Sequence, residues 1–477
     1  MNPSVIVVWL RNDLRLHDNE MLWKATQRKD TTVVPVYCFD ENQFKIISPL
    51  NIKKTEHFRA KFLIEGVTQL RKKIRALGGE LIVRFGNPAK EIAKIAIDLK
   101  ASAVFTSKEI TSEEVALEKA LEALLQKTGI EVRYFWQSTL YHLEDLPFPI
   151  QALPDVFTQF RKEIERSGKV RPLFPTCTTF SPPVEITSGE IPTLSQLGLT
   201  EVLPTEKHQF VFVGGEDAGI ARLNEYFWEK DLLKNYKETR NGLLGADYAS
   251  RLSAWLSLGF LSPRYVYQQV KAYEAERITN ESTYWLVFEL LWRDYFKFVA
   301  KKHGNKIFLK GGIRNVSIDF TSQTELFWKW ANGQTGIPFI DANMLELKQT
   351  GFMSNRGRQN VASFLVKDLR IDWRWGASYF ESMLIDYDVC SNWGNWNYIA
   401  GIGNDPRENR YFNILSQAQR YDAKGEYVKH WIDVLKKVPS RYVHQVGNLT
   451  PQQLKEFGIR LGIDYPKPIV KFSLNKT

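Results

Sequence analysis

A doubly wound parallel α/β domain followed by a large all-α domain is the architecture this 477-residue chain predicts, on three observations. Short apolar runs alternate with stretches of helical period up to about residue 135. Nine of the twenty prolines fall in residues 136–215, and eleven of the fourteen tryptophans lie beyond residue 216. A hydrophobic fraction of 44% with 13% aromatics supplies enough apolar surface for sizeable cores. The expected partition is therefore 1–135, an α/β domain; 136–215, an ordered connector; and 216–477, a helical domain with a polar tail beginning near residue 445.

The first strand is SVIVVWL from Ser4, followed by VVPVYCF, ELIVRF, ASAVFT and IEVRYF. Between them, stretches such as EHFRAKFLIEGVTQLRKKIRAL and SEEVALEKALEALLQK carry the 3.6-residue period of crossover helices. The loop after the first strand, RNDLRLHDN, contains no glycine. A GxGxxG turn is what lets a backbone approach a pyrophosphate, so this half does not read as an NAD-binding domain of the usual kind. Any ligand of a doubly wound sheet belongs at the carboxyl ends of its strands, where Asp13, Arg15, Asp40, Lys108 and Glu109 fall. The alternative for each is a solvated loop residue.

In the connector, proline fixes its own φ and bars helix from the residue before it, leaving LPDVFTQFRKEIER as one helix of two or three turns. Beyond it, helices stop at glycine-bearing turns such as LSLGFLSP, KKHGNK, ANGQTGIP and KQTGF. No fixed period repeats, which excludes a solenoid.

Composition narrows the chemistry. Cys38, Cys177 and Cys390 have no metal-ligand spacing and read as small buried apolar residues of a reducing compartment. No apolar run approaches a membrane span and no basic secretory start precedes SVIVVWL, so the expectation is a cytoplasmic monomer without a membrane partner. A formal charge of +10 favours an anionic partner. HExxH, Walker and Cys/His patterns and a serine triad are missing, and abundant aromatic wall with few catalytic groups points to a bound cofactor.

Three stretches could build its site. From Ser354 to Tyr398, Asn355, Arg358 and Gln359 occupy i, i+3, i+4 of one helical face, and Asp386, Asp388 and Asn392 sit among Trp373, Trp375, Trp393, Trp396 and Tyr398. Buried carboxylates need partners, and Arg358 is one by type; a cage for a planar polar ligand and a structural lock remain alternatives. In YKETRNGLLGADYASRLSAW, Tyr236 and Arg240 precede Ser250, Leu252 and Ser253, whose hydroxyls and backbone amides suit a diphosphate, with Ser250 as an ordinary N-cap the alternative. In ELLWRDYF, Glu289, Trp292 and Arg293 share a face that suits a nucleobase, or else holds an intrahelical Glu289–Arg293 pair.

With VVWLRNDLRLHDN, LPDVFTQFRKEIE, DYASRLSAWLSLGFLSPR, ELLWRDYFKF, GQTGIPFIDANM, SNRGRQNVASFLVKDLRIDWRWGASYF and LIDYDVCSNWGNWNYIAGIGNDPRENRYFN in order, the chain resembles the photolyase/cryptochrome family over nearly its whole length. It is most similar to the DASH cryptochrome branch. The resemblance implies FAD folded in the helical domain, its phosphates met by Ser250, Leu252 and Ser253 with Tyr236 and Arg240 nearby. It places Arg358 and Asp386 as the ion pair on the isoalloxazine, Asp388 by its polar edge, and Asn392 facing the reactive ring nitrogen. Glu289, Trp292, Asn355 and Gln359 match the pocket for a flipped-out pyrimidine dimer. The implied reaction is electron donation from photoexcited reduced FAD to the dimer, splitting of the cyclobutane ring, and return of the electron.

Gln359 and Tyr398 depart from cyclobutane-dimer photolyases, which carry Met and Trp there, and a phenol in place of an indole offers less apolar stacking against the cost of unpairing duplex DNA. Repair of UV-damaged single-stranded DNA in preference to duplex is the expectation, with RNA a further possible partner. Trp396 and Trp373 match the proximal and middle members of the family's photoreduction chain. Phe320 stands at the distal position, leaving Trp328, Trp330 or a tyrosine such as Tyr379 as candidate termini, with slow photoreduction the alternative, and Trp375 and Trp393 read as packing. Glu109 looks like the acid that binds a 5,10-methenyltetrahydrofolate antenna. The rivals to repair are a flavin photoreceptor that signals through partners, and a nucleic-acid-binding module without chromophore.

Overall fold

The computed structural model describes residues 4–28, 30–407 and 410–470. Strands β1 (Ser4–Leu10), β2 (Thr31–Asp40), β5 (Ile82–Gly86), β6 (Ala103–Ser107) and β7 (Glu131–Phe135) form one sheet in the order β5-β2-β1-β6-β7, and β3 (Ile46–Ile47) pairs with β4 (Ile52–Lys53) as a small ribbon. All four pairings in the large sheet are parallel; Ile6 faces Val33 on β2 and Ala103 on β6. The period-two pattern of β1 explains its double burial. Ile6, Val8 and Leu10 pack with Phe62, Val67, Leu70 and Ile74 on one face, while Val7 and Trp9 pack with Ile92, Ala96 and Leu121 on the other. All five predicted strands are present.

The first of these cores continues into the helical half through Leu223, Tyr226, Trp255 and Phe298. The connector forms the helix Phe157–Ser167, while residues 168–215 contain no helix or strand. Phe157 stacks on Trp292 with ring centroids 3.7 Å apart, so the connector is anchored to the long helix Glu281–His303. That helix opens with a capping box between Asn280 and Thr283 and ends in Lys301 and Lys302, whose charges complement its dipole.

The RNDLRLHDN loop is not the solvated segment its polarity allows. Asp13 and Arg15 are 2% and 1% exposed, and Glu109 is buried too. Arg15 donates to the carbonyls of His17, Asp18 and Gly259. Asp18 pairs with Arg264 at 2.6 Å, and His17 meets Glu216 at 2.5 Å, with Lys73 on the same carboxylate at 2.6 Å. The Asp18–Arg264 and His17–Glu216–Lys73 pairs offset the cost of burying these charges and tie the sheet to the helices. The expected polar tail after residue 445 is also better ordered than its composition suggests. Thr450 caps a helix at Pro451–Phe457, and the Tyr465 hydroxyl donates to buried Asp341 at 2.7 Å. Residues 471–477 of the tail lie outside the described residues. The three cysteines are free and buried, as expected.

Candidate flavin site

A cavity of about 310 Å³ lies within the helical half. Its wall takes residues from segments far apart in sequence: Tyr236 and Arg240, the turn from Ser250 to Ser253, Glu289, Asn355, Arg358 and Gln359, Asp386 and Asp388, and Asn392 and Trp396. Three caps fix the geometry of its last third. Ser354 caps Asn355–Ser363 by accepting from the Gly357 N–H, and Asp372 caps Trp373–Met383 through Arg374. Asp388 caps Val389–Ala400 by accepting from the Ser391 N–H at 2.9 Å. With Ser354 as cap, Asn355, Arg358 and Gln359 leave the helix together and reach one cavity.

Arg358 Nη2 donates to both oxygens of Asp386, at 3.0 and 2.9 Å, and its Nε donates to the Met353 carbonyl at 2.9 Å. Asp388 has a partner the sequence did not suggest, Lys297, at 3.0 Å. Burial on its own raises the Asp388 carboxyl, but the charges of Lys297 and Arg293 outweigh it and hold the group well below the usual carboxylate range. Lys297 is eight residues beyond Glu289 on the same helix, so the helical period contained this signal. Asn392 donates from Nδ2 to the Ala377 carbonyl at 3.0 Å, which fixes its amide orientation beside the cavity.

Ser250 is not an N-cap: the helix Ser253–Ser257 is capped by Leu252, and the Ser250 carbonyl accepts from buried Arg222. The special feature of this turn is Arg251, whose φ is +60°, followed by Leu252 at φ −67°, ψ −12°. A left-handed residue before a right-handed one turns successive N–H groups inward, the shape of an anion nest. Strain at a non-glycine residue persists only when its surroundings fix it. Here the Arg251 guanidinium donates to Gly245 and Ala246 and packs over Tyr248 and Phe352. A nest for phosphate, a guanidinium–carboxylate pair and an indole in one cavity wall fit FAD.

Glu289 pairs with Arg240 at 2.9 Å, not with Arg293, which instead donates to the carbonyls of Ser138 and Leu256. Burial raises the Glu289 carboxyl and the Arg240 charge opposes it; 32% of the side chain remains accessible, so screening keeps the effect small. Trp292 and Tyr398 are not in the cavity wall. They stand one turn beyond the wall residues Glu289 and Asn395 and meet edge to face, centroids 6.0 Å apart at 89°. Trp396 is 2% exposed in the wall, and fully buried Trp373 lies 5.6 Å from Trp393, donating its indole N–H to the Lys310 carbonyl. Glu109 lies outside this cavity, and burial pushes its carboxyl up to about 7 against the opposing charges of Arg11 and Lys297. No group of three or more His, Cys, Asp or Glu that could hold a metal occurs among the described residues. Nor is any described helix long and apolar enough to cross a membrane.

A parallel five-stranded domain joined to helices around a cavity whose lining suits FAD defines a photolyase-type flavoprotein, and the comparisons agree. Residues 6–179 match the family described as DNA photolyase, and residues 285–477 match the FAD binding domain of DNA photolyase. A cryptochrome DASH of Gloeobacter violaceus is 53% identical over 470 residues, covering 98% of this chain and 94% of its own. The crystal structure of a Synechocystis cryptochrome superposes with a TM-score of 0.95 at 49% identity, covering 99% of this chain and 97% of that one. A class III photolyase from Agrobacterium tumefaciens gives 0.86 at 28% identity, with 99% and 95% covered. The chain belongs to the photolyase/cryptochrome family, in its cryptochrome DASH branch. It therefore carries an FAD-binding domain, a flavin-based light-dependent activity and a DNA-binding function.

Proposed function

We propose that the protein uses blue light to repair cyclobutane pyrimidine dimers, with single-stranded DNA as its preferred substrate. The observation that carries this reading is that Glu289, Asn355 and Gln359 open into the same cavity as the Arg358–Asp386 pair. A flipped pyrimidine held by those polar groups lies in reach of the flavin clamp. Bound FAD supplies one-electron chemistry on excitation. The protein's part is to hold the isoalloxazine with Arg358, Asp386 and Asn392, neutralise added negative charge, and orient the dimer. The preference for single strands rests on Tyr398. Its hydroxyl is tied to Arg410 at 2.9 Å and the guanidinium covers its ring at 5.0 Å, leaving little apolar face for a flipped dimer.

For electron supply, Trp396 and Trp373 are the proposed relays. A second path, which bypasses Trp373, runs Trp396–Trp330 (6.4 Å), Trp330–Tyr379 (5.8 Å) and Tyr379–Trp328 (6.4 Å) from the cavity to a partly exposed indole and favours Trp328 as terminus over Phe320. We further assign residues 1–135 to a methenyltetrahydrofolate antenna bound near Glu109, 136–215 to the connector and 216–477 to flavin and DNA. The test of repair is loss of thymine dimers from a single-stranded oligonucleotide under blue light and in darkness. Light-dependent loss is expected. Glu289→Ala should slow it about tenfold or more while the visible flavin spectrum is unchanged. A coloured protein with no light-dependent loss favours the photoreceptor alternative.

A further inference from the structure

Gln359 is held from the side by a residue that does not itself line the cavity. Arg356, three residues earlier on the helix Asn355–Ser363, donates from Nη1 to Gln359 Oε1 at 2.8 Å. The same guanidinium donates from Nη2 to Asn241 Oδ1 at 3.0 Å and lies over the Tyr421 ring at 4.5 Å. Three contacts fix its plane. Arginine has no acceptor, so the Gln359 oxygen must face it and the amide NH2 must turn away; the usual ambiguity of an amide is removed by its partner.

Because Gln359 lines the cavity, its free face presents N–H donors. Glu289, in the same cavity and paired with Arg240 at 2.9 Å, presents a carboxylate acceptor. One acceptor and one donor match the imide edge of thymine or uracil, whose N3–H donates and whose C4=O accepts. Cytosine reverses both positions, placing a lone pair against the carboxylate and an amino group against the amide N–H. We infer that Arg356 is a positioning residue that locks Gln359 as a donor and so makes the cavity select 4-oxo over 4-amino pyrimidine dimers. This rests on the repair reading of the same cavity.

The test is equilibrium binding in darkness by the flavin-loaded full chain. Two single-stranded oligonucleotides are compared, identical except that one carries a thymine–thymine dimer and the other a thymine–5-methylcytosine dimer. Wild type is expected to bind the first about tenfold more tightly, since an unmatched polar pair in a buried site costs at least that. Arg356→Ala should reduce the ratio to about twofold or less by weakening the thymine dimer alone. Arg356→Lys, which keeps a donor-only head, should restore it, and Gln359→Glu, which leaves one matched and one opposed contact for either base, should bring it to about one. Should Arg356→Ala lose flavin, Asn241→Ala frees the guanidinium from outside the helix and is expected to lower the ratio in the same direction. Equal weakening of both oligonucleotides by Arg356→Ala, or a wild-type ratio near one, overturns the inference. A wild type that binds neither oligonucleotide better than an undamaged one overturns the repair reading with it.

Discussion

At the scale of residues, the cavity is a set of paired charges, and the pairs explain both what the sequence disclosed and what it concealed. Arg358 and Asp386 are 28 positions apart, and both were identifiable by type: a carboxylate among tryptophans needs a cation, and Arg358 shares a helical face with Asn355 and Gln359. Arg358→Ala leaves Asp386, whose side chain is 3% exposed, without its cation. The expected cost is about 2–3 kcal/mol, below that of a fully buried pair because the Arg358 side chain is 25% exposed. The visible absorption retained per protein after gel filtration should fall accordingly, and full flavin retention would contradict the clamp. Lys297 escaped notice because a lone lysine in the apolar run DYFKF reads as a snorkelling surface charge. Arg251 escaped because local propensity assigns positive φ to glycine or asparagine; the carbonyls of Gly245 and Ala246 and the distant Phe352 ring hold an arginine there.

At the scale of elements, the strands and long helices were legible from period alone, because each buries its own periodic face. The RNDLRLHDN loop was not. Its polar pattern is the same whether it meets water or, as here, Glu216 and Arg264 some two hundred and more positions away. The helix pair at the cavity shows packing overriding propensity. Glycine to alanine inside a helix ordinarily stabilises by up to about 1 kcal/mol. At Gly376, on Trp373–Met383, an added Cβ would stand 2.2 Å from the Trp396 ring. Gly376→Ala should therefore destabilise the protein by about 1–3 kcal/mol and reduce flavin retention by pushing Trp396 into the cavity. A raised denaturation midpoint would show that the two helices are not in this contact.

At the scale of the whole molecule, the clamp between sheet and helices predicts an acid response. Burial alone raises the Glu216 carboxyl, but the hydrogen bond and charge of His17 and the charge of Lys73 bring it down to about 2. A depressed carboxyl contributes stability above its unfolded value, near 4.5, and loses it as the pH falls toward about 2. Glu216→Gln should cost about 2–3 kcal/mol at neutral pH, with the difference from wild type shrinking through that window in chemical denaturation followed at several pH values. A difference independent of pH would show that the Glu216 charge is not what joins the halves. The fold and the FAD-binding domain both follow from the family, whereas the proposed preference for single strands rests on Tyr398 and Gln359. The most direct measurement is therefore the rate of dimer repair under blue light in matched single- and double-stranded oligonucleotides. The account predicts efficient repair of the single strand and slow repair of the duplex; equal rates on the two would contradict it.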